Sequence, residues 1–297
     1  MNTDNIGILL VLFNPSEDDL ASASAVAQRY RGAIVDNSPC RSFTESIVGK
    51  MAYIPLLSNK GIAHAQNVGL RYILEQNDIE YIVFFDQDSR FPDTYPQDMV
   101  NEYAQIKNAY PQLALLGPTV VDNDTNEEYK SVFHKTEVGD NNFIIRRDVI
   151  SSGSVVARDV LKSVGLMIDS LFIDYVDFEW CWRAQSKGLI CGQTRNVSIN
   201  HSVGINRHTF MGYMIQVWSP FRYFYQYRNY IWLSTLSYTP HQWIFATGVK
   251  SCLRLIYFPF IIRNGVKCWK QMWRGIFSAM CNFLSFRKEI KNGRRTT

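Results

Sequence analysis

The chain of 297 residues lacks the cysteine spacings that hold metals or disulfide frameworks. Its six cysteines include no CxxC pair, and a chain of this length can bury enough core to fold without cross-links. We therefore expect reduced thiols. Hydrophobic residues make up 46% and charged residues 20%, which excludes long disorder, collagen-like repeats and coiled coils. The length indicates one large domain, alone or with a smaller appendage.

Long apolar runs are also absent. None reaches the roughly 20 residues needed to cross a bilayer, and the most apolar tail segment, residues 255–262, is flanked by Arg254 and Arg263. The first residues show no basic leader, include Asp4, and their apolar run stops at Asn14. We therefore predict a cytoplasmic protein.

Acidic residues are scarce in the last part of the chain. From Met1 to Pro240 there are 20 Lys and Arg against 26 Asp and Glu, whereas from His241 to Thr297 there are 11 against one. The basic tail is rich in Trp and Phe, as are helices that lie in a membrane interface. Two alternatives stay open: the aromatic residues form the core of a helical cap, or the interface of a homodimer. The acidic body argues against binding of nucleic acid.

Strand and helix patterns alternate through the first half of the chain, which predicts an α/β fold with an open sheet of parallel strands. Apolar runs predict strands at residues 6–13, 33–35, 53–57 and 81–85. Helices are expected from Ser16, at 63–74, near 158–164, at about 177–187 and beyond 219. Phe13, Asn14 and Pro15 stand where a dinucleotide-binding fold carries GxGxxG, which argues against NAD or FAD.

Two aspartates, Asp86 and Asp88, follow the fourth predicted strand in FFDQDS. Ligands of open sheets bind outside the carboxyl ends of strands, and alternate residues of an extended chain point to the same side. Both carboxylates can therefore face one Mg²⁺ or Mn²⁺ ion, which takes one or two carboxylates together with substrate phosphates. His201, after a predicted strand at 196–200, is a candidate third ligand. The alternatives are a solvated Asp-x-Asp turn and an ordinary loop histidine.

Other acids stand where chemistry is expected. Asp36 ends the second strand, where an acid commonly bonds a nucleotide or instead closes an Asx turn. Large apolar residues flank Asp174, Asp177 and Glu179, and a partly desolvated carboxylate is basic enough to take a hydroxyl proton. Glu179 and Arg183, at i and i+4, are expected to form a helix ion pair.

The order of the motifs resembles that of the inverting family-two glycosyltransferases of the GT-A fold, across residues 6–232. In chain order the motifs are FNP, VDNS, NKGIAHAQNVGL, FFDQDS, SSGSVVARDVLKSVG, LFIDYVDFEWCWRAQSKG and INHSVG. DQDS and the later PFRYFYQYRNYIWL resemble the bacterial rhamnosyltransferase branch. Members of that branch build O-antigen and related cell-surface polysaccharides.

The resemblance implies a donor site and a metal site. Asp36 would contact the donor nucleoside, and Asp88 and His201 would bind the divalent cation, with Asp86 sharing the metal or contacting ribose. The donor-side loop and helix start would be formed by Asn59, Lys60, Gly61 and Asn67.

The resemblance also implies a base and an acceptor site. Asp177 would be the catalytic base, preceded by Val176 where the family often has Glu, so that Asp174 is a candidate for the missing acid. Asp174 or Glu179 would help to place the acceptor or the base. Five residues of the following helical segment either line the acceptor or lipid-diphosphate site or pack a helical cap: Arg222, Tyr223, Tyr225, Arg228 and Asn229.

These roles imply transfer of L-rhamnose from dTDP-β-L-rhamnose to a saccharide linked to polyprenyl diphosphate, at the inner face of the bacterial plasma membrane. The alternative donors are UDP-galactose, UDP-glucose and a UDP-N-acetylhexosamine. A non-catalytic nucleotide-sugar-binding scaffold is the alternative from another class. We expect a GT-A catalytic domain at residues 1–215 and a helical, membrane-associating region at 216–297.

Overall fold

Strands and helices alternate in the structure, a computed structural model that describes residues 4–122, 137–138, 142–201, 206–210 and 213–293. The first part contains β1 (Ile6–Leu12), α1 (Glu17–Arg29), β2 (Arg31–Asp36), β3 (Ile47–Val48), β4 (Met51–Pro55), α2 (Ile62–Leu74), β5 (Tyr81–Asp86), α3 (Tyr95–Ala109) and β6 (Leu113–Asp122). The second part contains β7 (Glu137–Val138), β8 (Phe143–Arg146), β9 (Val155–Ala157), α4 (Arg158–Val164), a 3₁₀ turn (Asp169–Leu171), α5 (Val176–Ser186), β10 (Ile190–His201), β11 (Asn206–Phe210) and β12 (Tyr213–Val217). The last part contains α6 (Pro220–Leu233), α7 (His241–Ile261), α8 (Gly265–Cys281) and α9 (Phe283–Gly293).

Ten strands form one sheet in the order β3-β4-β2-β1-β5-β9-β6-β10-β8-β7. The predicted open α/β sheet is confirmed, and β4, β2, β1 and β5 are parallel neighbours. β9, which the sequence analysis did not predict as a strand, lies antiparallel between β5 and β6. A turn at Gly153, whose N–H donates to the carbonyl of Phe84 at 2.8 Å, sends the chain back along β5.

Local signals in the sequence account for several element boundaries. Every residue of β1 is buried, as expected for a parallel strand covered on both faces. The hydroxyl of Ser16 accepts from the N–H of Asp19 at 3.2 Å, and the Asp19 carboxylate accepts from the N–H of Ser16 at 3.0 Å. This reciprocal capping box begins α1 where the sequence predicted it. Gly188, with φ of +82°, follows the last turn of α5.

The C-terminal helices share the main hydrophobic core with the sheet. Trp232, Trp243, Ala279 and Phe286 are buried in the same cluster as the strands. Helix α8 approaches α6 closely at Gly275, where a Cβ atom would lie 2.3 Å from the carbonyl oxygen of Phe224. The predicted domain boundary at 215/216 falls inside β12, and the change from strands to helices comes at α6.

Helix α7 corrects one expectation from the sequence. The helix has 21 residues and contains an 18-residue window with a mean hydropathy of 1.4, so it is long and apolar enough to cross a membrane by length and composition. The apolar character extends on both sides of Lys250 and Arg254 rather than ending at Arg254, so the expectation that no stretch reaches this length is wrong. A single helix of this kind does not by itself define a membrane span.

Candidate active site

The carboxyl ends of β2, β1 and β5 meet at one edge of the sheet and carry two of the predicted aspartates. Asp36 lies in register with Leu12 of β1, and Asp86 lies in register with Val11 on the other side of β1. Neighbouring strands are about 4.8 Å apart, so the two aspartate backbones are separated by roughly 10 Å. Both residues stand at the edge where open α/β sheets bind ligands.

Asp36 is fully buried, and its carboxylate is hydrogen-bonded within the protein. The N–H groups of Ser38 and Ser42 donate to it at 3.0 and 2.9 Å, and the Tyr53 hydroxyl donates at 2.6 Å. Burial raises the pKa of Asp36, but these hydrogen bonds outweigh burial and hold the pKa below its ordinary value. The bond from Ser38 closes the Asx turn that was the alternative interpretation. The contact with a nucleoside stays a prediction.

A hydrogen-bond network joins the end of β2 to the predicted donor-side loop before α2. The side-chain amide of Asn37 donates to Asn59 Oδ1 at 3.1 Å, and its oxygen accepts from the N–H of Lys60 at 2.7 Å. Asn59 Oδ1 also accepts from the N–H of Gly61 at 3.0 Å. The structure therefore brings Asn59, Lys60 and Gly61 together beside Asp36. It adds Asn37, which the sequence analysis did not single out.

Gly61 is required where α2 begins. Its φ is +87°, and a Cβ atom would lie 2.5 Å from the carbonyl oxygen of Phe172. That same carbonyl accepts from the N–H of Ala63 at 3.3 Å. The start of α2 therefore touches the chain segment that leads into α5.

Asn67 is buried in α2, and its hydrogen bonds run to the segment around the 3₁₀ turn. Its amide donates to the carbonyl of Met167 at 2.8 Å and accepts from the N–H of Met167 at 2.9 Å. One turn earlier, His64 Nδ1 lies 2.9 Å from a carboxylate oxygen of Asp169. These contacts hold α2 to the chain before α5, and the donor-side role of Asn67 stays a prediction.

Asp86 is partly buried at the end of β5, and Asp88 is exposed two residues later. The segment is anchored by Gln87, whose side-chain oxygen accepts from the N–H of Phe13 at 2.6 Å. The N–H of Ser89 donates to the carbonyl of Asp86 at 3.1 Å. This turn presents the Asp88 carboxylate to solvent at the carboxyl end of β5.

The proposed third metal ligand, His201, is the last residue of β10, and its side chain lies outside the described part of the chain. β10 is parallel to β6, and β9 is antiparallel to both β6 and β5, so β10 ends at the same edge as β5. Within the described ranges, no group of three or more His, Cys, Asp or Glu could hold a metal ion. The metal role of His201 therefore stays a prediction.

Residues 170–175, here called the entry loop, lead into α5 through an unusual backbone. Phe172, Asp174 and Tyr175 have φ values of 63°, 66° and 66°. Such left-handed conformations cost about 1–3 kcal/mol each in residues other than glycine, and they cluster at functional sites. The ring of Tyr225 on α6 stacks on Phe172 with 4.5 Å between centroids. The loop is thus held between α2 and α6.

Asp177 is the second residue of α5 and is partly buried. Burial raises the pKa of Asp177 to about 7. The N–H of Phe178, which donates to the carboxylate at 3.0 Å, lowers this pKa, whereas the charges of Asp148 and Asp86 raise it further. A carboxylate with a pKa near neutral pH is suited to general base catalysis.

A cavity of about 10 Å³, room for roughly one water molecule, adjoins Asp177. Ser151 and Ser154 line it on the polar side, while Phe84, Leu115 and Trp180 are among its apolar walls. These apolar walls account for the desolvation that raises the pKa of Asp177.

Glu179 is fully buried and forms the predicted ion pair with Arg183, at 2.8 Å and 3.1 Å. The hydroxyl of Tyr238 donates to the same carboxylate at 2.6 Å. Arg183 also donates to the carbonyls of Val164 and Leu166 at 2.8 and 2.7 Å. The pair joins α5 to the end of α4, which is a structural role.

Three of the predicted acceptor residues meet at the entry loop. Arg222 donates to both carboxylate oxygens of Asp174, at 3.2 and 3.3 Å from Nε, and lies 4.1 Å from the ring centroid of Trp218. Arg228 is buried and donates to the carbonyl of Leu171 at 3.0 Å. Of these groups, the Arg222 side chain is one-third exposed and Asp174 only 6%.

Asn229, on α6, is one of the residues expected either to line the acceptor or lipid-diphosphate site or to pack the helical cap. Its side chain is fully buried and donates to carbonyls of the entry loop. These bonds satisfy the amide, because buried polar groups require partners.

Comparison with solved structures defines the class of protein. The fold resembles that in the crystal structure of GalNAc-T7 with UDP, GalNAc and Mn²⁺, with a TM-score of 0.57 and 11% identity, over 96% of this chain and 58% of that chain. It also resembles Staphylococcus aureus TarS 1-349, with a TM-score of 0.52 and 14% identity, over 93% of this chain and 80% of that chain. The fold is therefore the GT-A fold of glycosyltransferases.

Comparison with curated proteins gives the family, although no protein-family model matches the chain. The chain is 32% identical over 248 residues to the dTDP-rhamnosyl transferase RfbF of Shigella flexneri, covering 80% of this chain and 82% of that protein. It is 20% identical over 232 residues to the low-salt glycan biosynthesis hexosyltransferase Agl10 of Haloferax volcanii, covering 74% of each. The chain belongs to the inverting family-two glycosyltransferases, in the bacterial rhamnosyltransferase branch, and is an enzyme.

The raised pKa of Asp177 predicts a stability effect with a defined pH dependence. The unfolded carboxyl titrates near pH 4, so the folded protein loses stability as the pH rises from about 4 to about 7. We expect Asp177→Asn to raise the melting temperature by about 2–6 °C at pH 8, and by much less at pH 4.5. Calorimetry in EDTA at both pH values measures this. Asp18→Asn, exposed on α1, is the control. An equal gain at both pH values would contradict the assigned environment.

Proposed function

We propose that this enzyme transfers L-rhamnose from dTDP-β-L-rhamnose, with inversion, to a saccharide carried on polyprenyl diphosphate. The product would enter O-antigen or another cell-surface polysaccharide. The observation that carries the donor is the 32% identity to the Shigella flexneri dTDP-rhamnosyl transferase over 80% of the chain. The lipid-linked acceptor is supported by the family resemblance alone.

Asp177 is the proposed general base. A carboxylate whose pKa burial raises to about 7 can accept the proton of the acceptor hydroxyl at cytoplasmic pH. As that oxygen bonds to the anomeric carbon on one face, the bond to the nucleoside diphosphate breaks on the other. The β-linked donor therefore gives an α-L-rhamnoside. Base catalysis of this kind typically contributes about 10²- to 10⁴-fold in rate.

On the donor side, we propose that the nucleotide lies along the Asn59–Gly61 loop. Asn37 and the loop backbone are tied together at 2.7–3.1 Å, which gives a rigid wall. Asp36 supports this wall by accepting hydrogen bonds from Ser38 and Ser42. To contact a nucleoside, its carboxylate would have to accept from the nucleoside with an oxygen that already accepts one of these bonds.

Asp86 and Asp88 are the proposed ligands of Mg²⁺ or Mn²⁺, with His201 as a third. Two carboxylates completed by substrate phosphates are a common site for these ions, so this donor set fits the metal. The bound cation would offset the charge that grows on the leaving diphosphate. A GT-A neighbour was crystallised with Mn²⁺.

The proposed acceptor site is narrower than the one expected from the sequence. Asp174 and Arg222 stand together at the entry loop, and Arg222 has exposed surface for an acceptor. The Glu179 carboxylate has 0% exposure and is bonded by Arg183 and Tyr238, so we leave it out of the acceptor site.

A donor screen with the purified enzyme tests the transfer reaction. We expect turnover with dTDP-β-L-rhamnose and a lipid-linked saccharide, at least tenfold faster than with UDP-galactose, UDP-glucose or UDP-N-acetylglucosamine. We expect Asp177→Asn to lower kcat by about 10²-fold or more, with donor affinity changed by less than about threefold. Product NMR should show an α linkage. Faster transfer from a UDP-sugar would identify that sugar nucleotide as the donor. Full activity of Asp177→Asn would show that Asp177 is not the base.

Calorimetric titration with dTDP tests the metal site apart from turnover. We expect Mn²⁺ to tighten dTDP binding by at least about tenfold relative to EDTA, because Asp86 and Asp88 would hold an ion that would offset the charge of the phosphates. Asp88→Asn should lose most of this gain, whereas Asp18→Asn should keep it. Binding of dTDP that ignores Mn²⁺ would favour the alternative of a nucleotide-sugar-binding scaffold.

We also propose that the protein is cytoplasmic and peripheral on the inner face of the plasma membrane. Exposed apolar side chains line one stripe of α7 at helical spacing, among them Phe245, Leu253, Ile256 and Phe260, with Phe260 86% exposed. Between His241 and Thr297 the chain has 11 basic residues and one acid. Anionic lipid attracts each such basic group by about 1 kcal/mol near the surface. The buried side chains of Trp243 and Phe258 support the helical-cap alternative for the inner side of the helix, whereas the exposed stripe supports the membrane-surface proposal.

Flotation with liposomes containing anionic lipid tests the membrane surface. The triple variant Phe245→Ser, Ile256→Ser, Phe260→Ser should lose at least about tenfold in bound fraction, since it removes apolar groups that would insert. Phe221→Ser, an exposed residue of α6, is the matched control. Point variants suit this test because Trp243 and Ala279 belong to the main core, which truncation would disrupt. Binding that survives the triple variant would assign the stripe to another partner, such as a second copy of the chain.

A further inference from the structure

The buried side-chain amide of Asn229 on α6 is hydrogen-bonded to three residues of the entry loop. Asn229 Nδ2 donates to the carbonyls of Leu171, Ile173 and Asp174, at 2.9, 2.8 and 3.0 Å. The Asn229 side chain is 0% exposed, so no water competes for these bonds. Three carbonyls of one loop thus converge on a single donor group, 55 or more residues away along the chain.

The neighbouring arginine fixes the orientation of this amide. Asn229 Oδ1 accepts from Nε of Arg228 at 3.0 Å and from its terminal nitrogen at 2.9 Å, so the oxygen faces the cation and the nitrogen faces the loop. Arg228 itself is held over the rings of Trp232 and Tyr225, at 4.4 and 4.7 Å. The Nδ2 group of Asn229 therefore points toward the entry loop.

The entry loop needs such a partner because of its backbone. Phe172, Asp174 and Tyr175 adopt left-handed φ values without being glycine, and such residues persist only where surrounding contacts hold them. α5 begins at the next residue, Val176, so the loop sets the direction of the first helical turn. Asp177 lies in that turn.

We infer that Asn229 is a positioning residue, which holds the entry loop through three carbonyls and thereby sets the position of the Asp177 carboxylate relative to the acceptor. This inference rests on the proposed role of Asp177 as the base. Asn229 itself touches neither substrate nor the reacting atoms. Displacement of a catalytic group by about 1 Å can cost on the order of 10²-fold in rate.

The variant Asn229→Asp tests the contribution of the hydrogen-bond donor Nδ2 of Asn229. It keeps the size of the side chain and an oxygen for Arg228, but it turns a second oxygen toward the three loop carbonyls. We expect kcat to fall by about 10- to 100-fold, while KM for the donor changes by less than about twofold. Asn229→Ser, which retains one donor, should lie between Asn229→Asp and the wild type, and supplies the test if Asn229→Asp does not fold.

Tyr227→Phe is the matched control. Tyr227 is also buried on α6, and its hydroxyl donates to the carbonyl of Ser251 on α7 at 2.7 Å rather than to the entry loop. This variant should lose stability by a similar amount and keep kcat within about twofold. Equal loss of kcat in both variants, or full kcat in Asn229→Asp, would overturn the inference. If Asp177→Asn is itself active, the proposed base fails instead, so the two failures are distinguishable.

Discussion

The geometry of the candidate site depends on one strained segment, the entry loop. Three of its residues, Phe172, Asp174 and Tyr175, adopt conformations that cost free energy unless other parts of the chain hold them. α2 holds the loop from one side, at Gly61, where no larger residue fits. α6 holds it from the other side through Asn229. The Asn59–Gly61 loop, the start of α5 and the arginines of α6 therefore all adjoin this one segment.

Two aspartates of this site show that environment, more than residue type, sets proton affinity. Asp36 and Asp177 are both shielded from water, yet the pKa of Asp36 is lowered and that of Asp177 is raised. Asp36 accepts from two N–H groups and a tyrosine hydroxyl, which favour the ionised form. Asp177 accepts from one N–H and faces apolar walls. The fold thus keeps the Asp36 carboxylate ionised and gives Asp177 a pKa near neutral pH. Such a separation of two pKa values is typical of acid–base sites.

Local patterns in the sequence predicted those features of the fold that depend on residues close together in the chain. Continuous apolar runs gave the parallel strands around β1, and the spacing of Glu179 and Arg183 gave their ion pair. The direction of β9 could not be predicted, because a three-residue strand carries no directional signal and its partners lie far away in sequence. The contacts of Asn229 were equally hidden, since a helical pattern shows a buried face but not which carbonyls meet it.

The helical region is an integral part of the enzyme rather than a separable anchor. Its residues Trp232, Trp243 and Phe286 are buried in the same core as the sheet, and α8 lies close against α6 at Gly275. α6 is therefore packed against helices whose other faces are exposed and carry both apolar and basic side chains. Because α6 carries the contacts that stabilise the entry loop, docking of these helices and the geometry around Asp177 are linked by direct contact. A change that loosens the helices should raise the free energy of the loop conformation as well, because the bonds from Asn229 to the loop come from α6.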